Sequence, residues 1–146
     1  MSAAQQRVRP ALPLPATFPA WFESRTRNRD TDQFGHVNHA AMATLFEESR
    51  IALVFAPELA DETRGIDLLV ARLTMEFHKE LRAPGEVRIG TVVTRIGSSS
   101  LDIEQALFVG DVCYASAQAV CVLFGSDTRR PVQASDALRS GLLTSG

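Results

Sequence analysis

The sequence is poor in cysteine, carries no excess of basic residues and contains no long apolar run. Its 15 lysines and arginines against 17 aspartates and glutamates give a net charge of −2. Domains that bind nucleic acid usually carry a basic patch, so no nucleic-acid partner is expected. No segment approaches the roughly 18 apolar residues of a membrane-spanning helix, and the N-terminus lacks an apolar signal core. We therefore expect a cytoplasmic protein without a membrane span.

The two cysteines, Cys113 and Cys121, lie in a segment with the residue pattern of a single strand. Eight residues of strand span about 26 Å, whereas a disulfide needs Cα atoms within about 7 Å of each other. The two cysteines cannot pair within that strand. We expect both to be small buried side chains in a reducing compartment.

The chain has 146 residues, 45% of them hydrophobic, which suits one domain with a single core. Residues 1–19 hold four of the seven prolines, which excludes a regular helix or a central strand there. We predict a proline-rich extended or disordered tail over residues 1–19 and a single domain over residues 20–146.

One long helix is predicted over residues 38–56. Apolar residues recur there at helical spacing from Met42 to Ala56, Asn38 is a good N-cap, and Pro57 ends the run. The other sides of this helix are also mostly apolar or small. We therefore expect the helix to be largely wrapped by other structure.

Alternating patterns predict strands before and after this helix. The first strand, over residues 21–30, places three arginines on one face. The later strands follow one another with mostly short connections and predict an antiparallel meander. They cover residues 66–81, 86–97, 101–110 and 112–125. A short helix capped by Ser135 is predicted over residues 135–143.

This order of elements, together with the stretch DTDQFGHVNHAAMATLFEESR (30–50), resembles the hotdog fold. Over residues 21–125 the chain is similar to the 4-hydroxybenzoyl-CoA thioesterase type of acyl-CoA thioesterase. The residues that match the motifs of that family are Asp30, Asp32, Gly35, His36, Val37, Asn38, Glu47 and Arg50. The resemblance implies an α+β protein, with a five-stranded antiparallel sheet wrapped around a long central helix, and acyl-CoA thioesterase activity.

Asp32 matches the catalytic carboxylate of the family. Thioester hydrolysis needs a nucleophile at the carbonyl carbon, and a carboxylate can attack directly or act as a base on water. The residues leave both roles open, and an isolated aspartate in such a turn is a turn former. Aromatic variants of the family have bulky residues where this chain has Asn38 and His39, which bears on the shape of the acyl pocket.

The start of the helix is the expected oxyanion site. Its first N–H groups, from Val37 to Ala40, have no partner within the helix and lie at the positive end of the helix dipole. The resemblance points first to the N–H of His39. Gly35 permits a tight turn and a close approach of the substrate carbonyl.

Other polar residues of the motif have supporting or rival roles. His36 and His39 can orient a carbonyl or shuttle a proton, although a histidine near a helix start is more often a surface or capping residue. Asn38 is a further catalytic candidate, although a cap or a structural hydrogen-bonder is its more expected role. Glu47 is the rival carboxylate, because some hotdog thioesterases use this helix, and its alternative role is an ion pair with Arg50. No metal and no cofactor are expected.

Recognition of the CoA phosphates calls for arginine or lysine. The candidates are Arg72, Lys79, Arg82, Arg88, Arg95, Arg129 and Arg130. Among them, Arg129 and Arg130 follow the last strand and are a candidate phosphate clamp. The expected substrate is an acyl-CoA or, alternatively, an acyl group on a carrier protein.

The expected sheet leaves strand edges exposed, which favours assembly. The resemblance implies a homodimer that joins two sheets into one, often paired again into a dimer of dimers, with active sites at the dimer interface. We expect Asp32 of one chain to lie near the strands of the other.

Two other functions compete with hydrolysis. A hotdog dehydratase or hydratase is disfavoured, because the Gly35-His36-Val37 stretch is not followed by the proline found in those enzymes. A non-catalytic acyl-CoA-binding hotdog protein would keep the pocket but would not cleave the thioester.

Overall fold

The computed structural model describes residues 11–144. Its elements are β1 (Ala20–Thr26), α1 (His39–Val54), β2 (Ile66–Phe77), β3 (Gly85–Ile96), β4 (Ser100–Val109), β5 (Val112–Gly125) and α2 (Asp136–Thr144). The five strands form one antiparallel sheet in the order β1-β3-β4-β5-β2. Within the described residues, no helix is long and apolar enough to cross a membrane.

The predicted meander is correct for β3, β4 and β5 but wrong for β2. β2 pairs with β5 and lies at one edge of the sheet, while β1 lies at the other edge. The segment after β2 does not close a hairpin, because it pairs with the residues that lead into α1. The Leu81 carbonyl accepts the Val37 N–H at 2.7 Å, and His36 forms an isolated bridge with Arg82.

Helix α1 agrees with the predicted range of 38–56, and its N-cap is confirmed. The Asn38 side chain accepts the Ala41 N–H at 2.7 Å. The helix packs mainly on β1 and β3, and its buried residues are Met42, Leu45, Phe46, Ser49, Arg50 and Val54. The opposite side, which includes Glu47 and Ile51, is exposed. In a single chain the sheet therefore covers one side of the central helix and leaves the other side open.

A polar network lies in the core between α1, β3 and β4. Gln105 is buried, and its Oε1 accepts a hydrogen bond from Arg50 Nη1 at 3.0 Å. Its Nε2 donates to the Phe46 carbonyl and to Thr91 Oγ1, each at 3.0 Å. Burial lowers the pKa of the Arg50 guanidinium, which faces this neutral amide rather than a carboxylate. The Gln105 side-chain amide therefore makes most of the hydrogen bonds in this network.

Replacing Gln105 with Leu should lower the free energy of unfolding by about 2–4 kcal/mol, because the buried Arg50 loses its acceptor and Thr91 loses a donor. Urea denaturation measures the difference. Gln118 is exposed on the neighbouring strand β5 and provides a matched control. Gln118→Leu should change the free energy of unfolding by less than about 0.5 kcal/mol. Equal effects of the two substitutions would contradict the role given to the network.

The segment before β1 covers the outer face of the sheet, opposite α1. Phe18 is buried there and packs edge-to-face on Phe108, with ring centroids 5.9 Å apart. It also lies on the backbone of Gly90, where a Cβ atom would come within 2.5 Å of the Phe18 ring. The predicted tail of residues 1–19 thus ends at a side chain anchored in the domain. Residues 1–10 of that tail lie outside the described residues.

Two smaller predictions are also confirmed. Cys113 and Cys121 on β5 are both buried and both free of disulfides. The Ser135 hydroxyl accepts the Leu138 N–H at 3.1 Å and so caps α2.

Candidate functional site

The segment between β1 and α1 forms a tight turn around Asp32. The Asp32 N–H donates to the His36 carbonyl at 2.8 Å, and the Asp32 carbonyl accepts the Gly35 N–H at 3.1 Å. Gly35 has a φ of 79°, a left-handed conformation that glycine adopts without a Cβ clash. The turn brings Asp32 beside the start of α1 and the end of β2.

Asp32 holds one carboxylate oxygen in the turn and leaves the other free. Oδ1 accepts the N–H groups of Phe34 at 2.8 Å and of His36 at 3.1 Å. Oδ2 has no hydrogen-bond partner among residues 11–144. Desolvation acts to raise the pKa of Asp32, but the two N–H donors, together with the nearby His36 and His39 side chains, bring the pKa below its ordinary value. Asp32 is therefore both a turn former and an ionised carboxylate at neutral pH.

The start of α1 offers fewer free donors than the sequence indicates. The N–H groups of Val37 and Asn38 donate to backbone carbonyls at 2.7 and 2.9 Å and are not free. The N–H groups of His39 and Ala40 have no acceptor within the described part of the chain, and both residues are exposed. The predicted oxyanion donors of residues 37–40 are thus narrowed to these two. Asn38 uses its side-chain oxygen for the cap.

Asp32 and His39 line the same depression, which has a volume of about 280 Å³. It lies between the turn, the start of α1 and the end of β2. The His39 ring stacks on Phe77, with ring centroids 4.4 Å apart. The buried apolar residues that line the depression are Val37, Met42 and Leu81. A carboxylate, the first residue of α1 and an apolar surface therefore meet in one place.

His36 lies at the rim of this depression against Glu80. Its Nε2 is 3.2 Å from Glu80 Oε2, which is close enough for an ion pair. The contact lacks the alignment of a hydrogen bond, so this buried nitrogen has no hydrogen-bond partner among the residues described. His36 contacts the site through its backbone N–H, which donates a hydrogen bond to Asp32 Oδ1.

Sequence comparison decides the family. Residues 26–142 match the profile of the thioesterase-like superfamily. The chain belongs to this superfamily. A protein of Bacillus subtilis (strain 168), the uncharacterized protein YsmA, is 27% identical over 119 residues, which is 80% of each chain.

Solved structures share the fold of this chain. PA5185 of Pseudomonas aeruginosa PAO1 superposes with a TM-score of 0.80 at 24% identity, over 91% of this chain and 95% of that one. A thioesterase of Thermus thermophilus, in complex with coenzyme A and zinc, has a TM-score of 0.73 at 27% identity, over 86% and 92%. The predicted hotdog fold is confirmed. In the present thioesterase-like chain, residues 11–144 hold no cluster of three His, Cys, Asp or Glu suited to a metal.

Two of the predicted cationic residues lie near the depression of this thioesterase-like chain. Lys79 lines it. Arg82 reaches over the turn, since its Nη1 lies 3.9 Å from the position that a Cβ on Gly35 would take. Arg88, by contrast, stacks on Trp21 at 4.3 Å on the outer face of the sheet. Lys79 and Arg82 are therefore the cations best placed for an anionic ligand at this site.

Arg129 and Arg130 do not reach the depression within one chain. Arg129 Nη1 pairs with Asp67 Oδ2 at 2.7 Å, at the start of β2. The site lies at Phe77, the other end of β2, and ten residues of strand span about 33 Å. The predicted clamp is therefore far from Asp32 of its own chain.

Glu47 lies outside the depression, exposed on the side of α1 that faces away from the sheet. Its predicted ion pair with Arg50 is not formed, because Arg50 turns into the core and donates to Gln105 at 3.0 Å. Glu47 therefore shares no surface with the turn of Asp32.

Sequence reasoning did not place five of the residues that line this depression: Met42, Phe77, His78, Glu80 and Leu81. The pattern predicts a continuous strand over 66–81, whereas β2 ends at Phe77. The sequence does indicate this earlier end of the strand, because the polar run HKE (78–80) interrupts the alternation of apolar and polar residues.

Proposed function

We propose that this chain hydrolyses acyl-CoA thioesters, with Asp32 as the catalytic carboxylate and the start of α1 as the oxyanion site. One observation carries the proposal. Asp32, with a free carboxylate oxygen, and His39, with a free N–H group, line the same depression. A nucleophile or base and a preorganised donor are the two groups that acyl transfer requires.

Two chemical routes are compatible with this arrangement. In one, Asp32 Oδ2 attacks the carbonyl carbon, the C–S bond breaks, CoA leaves as its thiolate, and water hydrolyses the resulting anhydride. In the other, Asp32 accepts a proton from a water molecule that attacks the same carbon. Both routes develop negative charge on the carbonyl oxygen, which the N–H groups of His39 and Ala40 would stabilise.

The surroundings of the depression support a substrate with an apolar acyl group and an anionic carrier. The acyl group would lie against Met42, Leu81 and the stacked rings of His39 and Phe77. Lys79 and Arg82 would meet the phosphates of CoA. The Thermus relative with coenzyme A bound supports CoA as the carrier.

A second copy of the chain would complete the site. β2 is a free edge strand, and its residues on the helix-facing side include Val70, Leu73 and Phe77, which are 44%, 36% and 43% exposed. An isolated strand edge with apolar side chains favours pairing with another strand. Antiparallel pairing of β2 with its symmetry mate would place the start of one strand against the end of the other. Arg129 and Arg130 of the partner subunit would then approach the depression, and the homodimer could pair again into a dimer of dimers.

Release of free thiol from a panel of aliphatic and aromatic acyl-CoAs tests the proposal. We expect saturable cleavage of at least one of them, and a parallel panel on acyl-carrier protein identifies the carrier. If acyl-CoAs bind by calorimetry but none is cleaved, the chain is a non-catalytic acyl-CoA-binding protein and the proposal fails.

The pH profile of kcat/KM should stay level from neutrality down to about pH 5. The carboxyl pKa of Asp32 is lowered from its ordinary value of 3.8, so the carboxylate stays ionised until the pH falls through that lower value. The stabilisation that ionised Asp32 gives the turn is likewise present above pH 3.8 and lost on further acidification. An acid limb near pH 6.5 would instead assign the essential ionisation to a histidine.

A further inference from the structure

A larger cavity, the β1–α1 cavity, lies between β1, the second half of α1 and α2. Its volume is about 700 Å³, within the roughly 300–1,000 Å³ typical of small-molecule pockets. The small or apolar residues that line it include Ala20, Phe22, Ala52, Leu53, Ala56 and Leu59. It shares no lining residue with the depression at Asp32. The proposed hydrolysis makes no use of it.

Two buried hydroxyl groups also line this cavity. Ser49 on α1 is 2% exposed and Thr91 on β3 is 1% exposed. Their oxygens are 2.8 Å apart, so one hydroxyl donates to the other. Buried hydroxyl groups usually use all of their hydrogens, so the number of available acceptors decides what this pair can still bind.

The Gln105 amide fixes the direction of the hydrogen bonds. Its Oε1 accepts from Arg50, so its Nε2 is the donor toward Thr91 Oγ1. Thr91 and Ser49 carry one hydroxyl hydrogen each, and the bond between them uses one of these. The other hydroxyl hydrogen has no acceptor within residues 11–144. Because both side chains line the cavity, this hydrogen is free for an acceptor inside it.

Charge at the cavity selects against anions. Glu58 and Glu62 line it, and neither forms an ion pair within the described part of the chain. No lysine or arginine is among the described residues that line the cavity. A carboxylate or phosphate there would be repelled by the two glutamates and would lose its hydration without a cationic partner.

We propose that the β1–α1 cavity binds an uncharged amphiphile, such as a fatty ester or amide. Its hydrocarbon chain would lie against the alanines and leucines, and its carbonyl oxygen would accept the free hydroxyl hydrogen of the Ser49–Thr91 pair. An ammonium group cannot accept that hydrogen, and a carboxylate meets the charges of Glu58 and Glu62. The site is separate from the one that the proposed hydrolysis uses, and binding at it requires no turnover.

Trp21, the only tryptophan of the chain, packs against Arg88 on the outer face of the sheet, so the reporter is a Trp21→Phe, Phe22→Trp variant, which carries its indole at the residue of β1 that faces the cavity. The probe is the methyl ester of a medium-length bromoalkanoic acid, whose bromine quenches tryptophan fluorescence. Titration of the full chain should give saturable quenching. The free acid of matched length should bind at least about tenfold more weakly. No quenching by the ester, or equal binding of the ester and the acid, would overturn the proposal.

Two substitutions locate the probe. Ser49→Ala should weaken binding of the ester about fivefold to tenfold, while a bromoalkane without a head group should bind as before. Ala52→Phe fills the cavity from an exposed helix position and should abolish quenching. Ala60→Phe, exposed and outside the cavity, is its matched control. Quenching that survives Ala52→Phe, or an ester affinity unchanged by Ser49→Ala, would place the probe elsewhere and reject the site.

Discussion

Asp32→Asn should lower kcat for thioester hydrolysis by about 10²–10⁴-fold, the usual effect of removing a positioned acid or base. Asparagine is the informative substitution, because its amide oxygen can still accept the Phe34 and His36 N–H groups that Oδ1 accepts at present. The turn is thereby kept, and only the charge at the free oxygen is lost. Thiol release measures kcat, and thermal unfolding confirms that the variant is folded.

Substitutions of two other carboxylates test whether the effect is specific to Asp32: Asp30 is the matched control, and Glu47 is the rival candidate. Asp30 lies in the same motif, but its carboxylate accepts the Arg27 N–H at 2.7 Å and does not line the depression. Asp30→Asn should keep kcat within about twofold of wild type. Glu47→Gln tests the rival carboxylate on the exposed side of α1. Wild-type turnover in Asp32→Asn, or a large loss in Glu47→Gln, would show that the catalytic carboxylate is misassigned.

Leu73→Asp should weaken the proposed homodimer by about 10³-fold and remove most of the hydrolytic activity. Leu73 pairs with Ala119 on the helix-facing side of β2, yet it is 36% exposed in one chain. An interface anchor of this kind contributes about 2 kcal/mol or more. A two-fold symmetric interface contains Leu73 from each subunit. The combined loss of ~4 kcal/mol in association free energy corresponds to about a 10³-fold rise in the dissociation constant. Sedimentation velocity and thiol release, measured at the same protein concentration, give the two results.

Thr74→Asp is the matched control for that substitution. Thr74 is the next residue of β2 and lies on the opposite face of the sheet, opposite Gln118. It is exposed, and the same charge there should leave both assembly and turnover near wild type. A Leu73→Asp protein that stays dimeric and active would reject β2 as the interface.

The parts of the molecule that could be predicted from the sequence depend on residues close together in the chain. Asn38 caps α1 because its side chain reaches the N–H three residues later, and Ser135 caps α2 in the same way. The turn at Asp32 is equally local, since all its hydrogen bonds lie within residues 32–36. Such contacts form largely independently of the rest of the fold.

The parts that could not be predicted depend on pairing between distant segments. β2 lies beside β5 rather than β3 because the residues after it run along the entrance to α1. The same pairing brings Phe77 and Lys79 to Asp32, although more than forty residues separate them in the sequence. Neither side-chain periodicity nor turn chemistry indicates which distant segments of the chain pair with each other. The resemblance pointed to Asp32 as the candidate carboxylate but did not predict which residues of β2 lie beside it.

The unequal use of the two Asp32 oxygens has a practical consequence. With asparagine at this position, the two backbone donors would hold the amide oxygen, so the NH₂ group would take the free position in the depression. The negative oxygen that we propose to act in hydrolysis would thereby be replaced by a donor suited to the oxygen of an intact thioester. The inactive protein would then serve as a trap for unreacted ligand, and a cocrystal or a native mass spectrum of it could reveal which acyl group the cell supplies.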